Sequence, residues 1–138
     1  MPKIAISDVE IANCFEVMSE LRPHLVKESF VSMIREMENN GYQLAFIKSE
    51  GVIAAVAGFR ISTNLIMGKH FYVEDLVVKK SIRSKGLGGI LMKWLESRAQ
   101  NEGCINFHLD SGTQRGDAHR FYFKHDFSIL AYHFAKKL

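Results

Sequence analysis

An α/β fold built on a single mixed, mostly antiparallel sheet is predicted by three observations. The stretch Phe71-Tyr72-Val73-Glu74-Asp75-Leu76-Val77-Val78 is rich in β-branched and aromatic residues and reads as a strand. Residues Leu87, Ile90, Leu91, Trp94, Leu95 and Arg98 recur at helical spacing and place five apolar side chains and one arginine stem on a single stripe. Between the two lies Arg83-Ser84-Lys85-Gly86-Leu87-Gly88-Gly89, a basic, glycine-rich turn that leads from the strand into the helix.

The remaining elements follow in chain order. Residues 3–6 read as a short strand. Ser7 and Glu10 form a capping box that opens a helix with Ile11, Phe15, Met18 and Leu21 facing inward. Pro23 disfavours helical geometry at Arg22 and ends that helix. A second helix runs from Lys27 to Asn39 with Phe30, Ile34 and Met37 inward, and Asn40-Gly41 supplies its left-handed exit. Residues 43–48 and 52–61 are strands of a hairpin joined at Ser49-Glu50-Gly51. The run Val52-Ile53-Ala54-Ala55-Val56-Ala57 lacks polar alternation, so this strand is expected to be covered on both faces. A loop with Asn64 and Gly68 precedes the strand at 71–78. After the glycine-rich helix come a strand at 105–109, a helix around residues 117–125 and a last strand at 127–134. The order is β-α-α-β-β-β-α-β-α-β, and the helical crossover after Val78 implies a parallel neighbour at 105–109.

Composition narrows the class. A chain of 138 residues with 47% hydrophobic and 24% charged residues fits one globular domain, 1–138. A formal charge of +3 does not argue for nucleic acid or a membrane surface. Cys14 and Cys104 belong to no C-x-x-C pair and are expected as reduced thiols in a cytoplasmic protein. Residues 1–6 are too short an apolar run for a signal peptide, and no apolar run reaches the roughly eighteen residues of a membrane span. Six histidines without metal-ligand spacing lead us to expect no metal.

The turn at 83–89 suits a diphosphate. The first N–H groups of a helix lack internal partners and carry partial positive charge; glycines admit a ligand to the backbone, and Arg83 and Lys85 add formal charge. It is not a P-loop, because no lysine and hydroxyl follow a second glycine at the required spacing. It is not a dinucleotide fingerprint, because the third glycine would fall at Leu91.

What remains, R-x-x-G-x-G directly after a strand ending in Val77-Val78, resembles the coenzyme A pyrophosphate loop of the GNAT superfamily of N-acetyltransferases. A second block, Asp117-Ala118-His119-Arg120-Phe121-Tyr122-Phe123-Lys124-His125-Asp126-Phe127, resembles the later A-x-x-F-Y-x-x-x-G-F motif of that family, in the right order. The resemblance covers residues 42–134. It implies the GNAT fold, a twisted sheet with splayed central strands and about four flanking helices. It also implies acetyl-CoA as cosubstrate, bound by the backbone of Leu76, Val77 and Val78 and by Arg83, Ser84, Lys85, Gly86, Leu87, Gly88 and Gly89. Two departures stand out. Asp126 replaces the usual glycine, where a left-handed residue is expected to be kept. Arg115 replaces an asparagine that commonly touches the coenzyme, and is expected to reach a phosphate instead.

Acetyl transfer from a thioester to an amine needs a neutral amine, a donor for the developing oxyanion and a proton for the leaving thiolate. By resemblance Tyr122 is the general acid. Glu74 and Asp75 are adjacent carboxylates in a strand, where side chains alternate, so one at most faces the acceptor unless a bulge intervenes. The string Tyr72-Val73-Glu74-Asp75-Leu76 resembles the Y-L-E-D-F segment of spermidine/spermine acetyltransferases, which implies Glu74 as base and Asp75 as a contact to a cationic acceptor. The later W-x-V-x-x-W-N segment of those enzymes is absent; His108 and Asp110 stand in that region as acceptor-pocket candidates. The partner expected is a small-molecule or peptidyl amine, with no nucleic acid and no membrane, and a homodimer stays open. The alternative function is a catalytically weak coenzyme A-binding sensor or interaction module.

Overall fold

The computed structural model describes residues 1–83 and 85–138. The chain runs β1 (Lys3–Ile4), α1 (Asp8–Asn13), α2 (Phe15–Leu21), α3 (Lys27–Glu38), β2 (Tyr42–Ser49), β3 (Val52–Asn64), β4 (Gly68–Val78), a 3-10 turn (Lys80–Ile82), α4 (Leu87–Asn101), β5 (Asn106–Leu109) and α5 (Gly116–Lys124). The five strands form one sheet in the order β1-β2-β3-β4-β5. The first four pair antiparallel. Contacts to β5 advance along both strands together: Ile105 N–H donates to the Lys69 carbonyl at 2.8 Å, and Phe107 stacks on Phe71 with ring centroids 5.1 Å apart. β4 and β5 are therefore parallel, the sheet is mixed, and α4 is the crossover. The chain divides into two compact units, residues 1–108 and 109–138.

In the first unit the capping box forms as the sequence requires. The Ser7 hydroxyl accepts from Glu10 N–H at 3.2 Å, and Glu10 accepts from the N–H groups of Ser7 and Ile6. The Lys3 ammonium, together with those N–H groups, holds the Glu10 carboxyl down at about 2. The expected single helix is broken at Cys14, whose N–H bonds back to the Ile11 carbonyl three residues earlier. That tighter turn changes the phase of the second segment. Ile11, Cys14, Val17 and Met18 are buried, while Phe15 and Leu21 are only partly so. Burial pushes the Cys14 thiol up to about 12, which makes it an inert packing group.

The helices α1–α3 cover one face of the sheet, where Ile11, Val17, Met18, Phe30 and Ile34 meet Leu44, Phe46, Val56 and Val77. On the alternate face Arg98 of α4 donates to Gln43 at 3.3 Å, and Leu91, Met92, Leu95 and Ala99 are buried. Both faces of β3 are thus covered, and residues 53–59 are buried without interruption, as their unbroken apolar run requires. The inward stripe of α4 differs from the expected one. Ile90 is 48% exposed, and Met92 and Ala99 lie inside instead. Apolar residues flank Leu91 and Leu95 on both sides, so helical spacing alone leaves the rotation of α4 undetermined. The β2–β3 hairpin turns at Glu50 and Gly51, both with positive φ (51° and 81°), the geometry that suits the twist of the flanking strands.

In the second unit Asp126 takes the left-handed conformation expected of it, φ 66°, just past the end of α5. The expected last strand at 127–134 is not formed; residues 127–138 carry no regular secondary structure. Ile129, Leu130, Tyr132 and Phe134 are all exposed. Strand propensity is a preference for a pleated, half-buried surface, and it does not by itself form a strand.

Candidate active site

The register between β3 and β4 slips where the two acidic residues sit. Gly58 pairs with Asp75, and the next pair is Phe59 with Val73, so Glu74 is the extra residue of a β-bulge. A bulge cancels the usual alternation, and both carboxylates reach the same face. Asp75 accepts from the Tyr42 hydroxyl at 2.8 Å, and Glu74 pairs with the Arg60 guanidinium at 2.5 Å. Tyr42 and Arg60 are themselves opposite one another in the β2–β3 ladder, and the guanidinium lies 5.6 Å from the centre of the Tyr42 ring.

The two acids have different surroundings. Glu74 is 28% exposed at its side chain, with Arg60 as its ion-pair partner. Asp75 is 14% exposed and engaged on both oxygens, by Tyr42 on one and by Arg22 Nε at 3.0 Å on the other. Arg22 also donates from Nη2 to the Glu74 carbonyl at 3.0 Å. It is the C-cap of α2, set outside the helix at φ −122° immediately before Pro23. Burial, and then the charge of Asp75, push the Tyr42 phenol well above its ordinary pKa, so it remains a donor. Arg22, Tyr42 and Arg60 were not singled out from the sequence. Their partners lie 53, 33 and 14 residues away, and nothing local marks such contacts.

Gly58 makes this arrangement possible. A Cβ there would lie 1.7 Å from the Tyr42 hydroxyl oxygen and 2.7 Å from Asp75 Oδ2. A lone glycine in an apolar strand is a known mark of close approach or a bulge, and here it was the available sequence signal. Gly58→Ala must drive Tyr42 off Asp75, and we expect a loss of about 1–3 kcal/mol from overpacking. Urea denaturation of the variant beside the wild type measures it.

Past the bulge, Leu76 pairs with Ala57, Val77 with Val56 and Val78 with Ala55, all on the β3 side of the strand. On the other side of β4, β5 has only four residues, and its contacts fall on the first half of β4, at Lys69, His70 and Phe71. The chain then makes the 3-10 turn, whose first N–H, at Lys80, donates to Glu20 at 2.8 Å, while Lys79 pairs with Glu16 at 2.7 Å. These links tie α2 to the end of β4. Arg83 and Lys85 are exposed, and Gly86 caps α4 in the left-handed conformation, φ 73°, with open space where a Cβ would stand. Leu87, Gly88 and Gly89 form the first turn of α4, which holds no acidic residue. Ser84 lies outside the described residues. A basic turn leading into a helix start free of acidic residues suits an anionic group such as a diphosphate.

In the second unit Tyr122 is 9% exposed and packs edge-on against Phe121 and Phe127. Burial raises its phenol above the ordinary value, and the Arg115 guanidinium beside it pulls the other way. Arg115 is the N-cap of α5 and so sits near Tyr122, a pairing the sequence did not reveal. Asp110 pairs with His133 at 3.3 Å, both side chains more than half exposed. His108, in the first unit, meets His70 edge-on at 5.9 Å. Among the described residues no group of three or more His, Cys, Asp or Glu side chains is arranged to hold a metal ion. No described helix is long and apolar enough to cross a membrane.

A mixed sheet that carries paired carboxylates on a bulge runs here into a glycine-rich helix start. The chain belongs to the acetyltransferase (GNAT) family, whose sequence model matches residues 11–127. It is 34% identical over 132 residues to the uncharacterized N-acetyltransferase YhdJ of Bacillus subtilis, covering 94% of this chain and 93% of that protein. It is 27% identical over 127 residues to the aminoalkylphosphonate N-acetyltransferase of Salmonella typhimurium, covering 91% and 80%. The aminoglycoside N-acetyltransferase AAC(6')-Iy, solved in complex with CoA, shares the fold with a TM-score of 0.84 at 15% identity, covering 99% and 95% of the two chains.

Proposed function

We propose that the protein transfers the acetyl group of acetyl-CoA to a primary amine of a small molecule or peptide by direct attack. The observation that carries this reading is the bulge at Glu74: it turns a carboxylate to the α1–α3 face two residues before Leu76, where the pantetheine arm is expected to begin its run. The family match spans both units, and we take residues 1–138 as one acetyltransferase domain. The aminoalkylphosphonate and aminoglycoside enzymes are N-acetyltransferases by name, and the second was solved with CoA, which supports the same donor and acceptor chemistry here. Two free thiols, Cys14 and Cys104, fit a cytoplasmic enzyme.

In this reading the acceptor arrives as an ammonium and gives a proton to Glu74, directly or through water. Its nitrogen lone pair then attacks the thioester carbonyl, the C–S bond breaks, the thiolate takes a proton from Tyr122, and the second nitrogen proton shed as the amide forms returns through water to the Tyr122 phenolate. The backbone of Leu76, Val77 and Val78 holds the pantetheine arm. By resemblance to the family, the diphosphate is expected on Arg83, Ser84, Lys85, Gly86, Leu87, Gly88 and Gly89, and Arg115 and Asp110 of the second unit are the candidates for a further phosphate cation and for an acceptor contact.

The test is release of free thiol from acetyl-CoA with 2-aminoethylphosphonate, glucosamine 6-phosphate, spermidine and a lysine peptide. Thiol release with none of them, alongside tight acetyl-CoA binding, favours the sensor module instead. Glu74→Gln should lower kcat/KM most at neutral pH. A primary amine has a reference pKa of about 10.4, so free amine accumulates as pH rises and partly rescues the variant. A wild-type pH profile in Glu74→Gln removes Glu74 as the base.

A further inference from the structure

We propose that Asp75 is a positioning residue rather than an acceptor contact: with Arg22 and Tyr42 it locks the bulge that aims Glu74. This rests on the reading of Glu74 as base. Both Asp75 oxygens are engaged, by Arg22 Nε at 3.0 Å and by the Tyr42 hydroxyl at 2.8 Å, and the side chain is only 14% exposed. A carboxylate held in this way is not open to a cationic ligand. The same Arg22 guanidinium donates to the Glu74 carbonyl, a backbone group at the point where the ladder slips. One cation therefore grips the backbone of Glu74 and the side chain of Asp75.

The lock draws on four elements. Arg22 comes from the end of α2, Tyr42 from β2, Asp75 from β4, and Gly58 of β3 leaves the space in which the hydroxyl and carboxylate meet. Tyr42 is 2% exposed, and its hydroxyl is given to Asp75.

Tyr42→Phe removes the hydroxyl and keeps the ring. It should lower kcat about tenfold, with the acceptor KM changed by less than about twofold and acetyl-CoA affinity unchanged, for the best amine of the panel. Combined with Glu74→Gln it should cost nothing further, because the residue being aimed is gone. Asp75→Asn should likewise act on kcat. Hydrogen exchange needs no acceptor: in Tyr42→Phe the amides of residues 73–76 should exchange about tenfold faster or more, while those of α4 do not change. Additive effects of Tyr42→Phe and Glu74→Gln, an Asp75→Asn effect confined to KM, or unaltered exchange at 73–76 overturns the proposal. A wild-type profile in Glu74→Gln overturns the base assignment itself, and the two failures are distinct.

Discussion

Acetyl-CoA binding should be lost in a folded Gly88→Glu variant. Gly88 is the second residue of α4, in the turn whose N–H groups face outward. A glutamate there brings a negative charge against a diphosphate. Two like charges 4 Å apart repel by about 1 kcal/mol in bulk water and about 4 kcal/mol at an effective dielectric of 20. Affinity should therefore fall by about a hundredfold or more, since tenfold corresponds to about 1.4 kcal/mol. The helix itself gains, because glutamate is a better helix former than glycine and an acid suits a helix N-terminus. Loss of binding with an unchanged or raised melting temperature is thus the expected pair of results. Calorimetry with acetyl-CoA measures the first and thermal denaturation the second. Wild-type affinity in this variant removes the turn from the site. Arg83→Ala should weaken binding less, and more at low salt than at high.

Tyr122→Phe should lower turnover by about 10²–10⁴-fold, the usual worth of a general acid. The ring and its edge contacts with Phe121 and Phe127 survive the change. Stability should therefore fall by no more than the roughly 0.5–1.5 kcal/mol of one net hydrogen bond. Burial raises the phenol pKa, so the proton is present throughout the neutral range and no falling limb from Tyr122 should appear there. The measurement is kcat with saturating acetyl-CoA, beside its binding affinity. Turnover equal to wild type returns Tyr122 to a packing role.

Much of this was legible in the sequence because it is written locally. The capping box at Ser7 and Glu10, the hairpin turn at Glu50 and Gly51 and the left-handed Asp126 each depend on a few neighbouring residues. The glycine-rich turn and the strand before it were legible for the same reason. What escaped was set by tertiary context. The break at Cys14 shifted the buried face of the segment that follows it, and the rotation of α4 was chosen by the sheet beneath it. Strand propensity at 127–134 did not by itself form a strand. At the site, Glu74 and Asp75 were visible as unusual acids in a strand, but Arg22, Tyr42 and Arg60 came to them from distant parts of the chain.

The lock around the bulge has a kinetic meaning as well. Its hydrogen bonds close spans of 53 and 33 residues, the first joining the end of α2 to β4 and the second joining β2 to β4. Closing long spans costs chain entropy before any contact repays it. The geometry around Glu74 should therefore form later than local features such as the β2–β3 hairpin. A half-folded chain can hold the β2–β3 hairpin, which needs only neighbours, and still lack an aimed carboxylate. Recovery of activity during refolding should trail recovery of secondary structure, so that the enzyme's own reaction reports the completion of its fold.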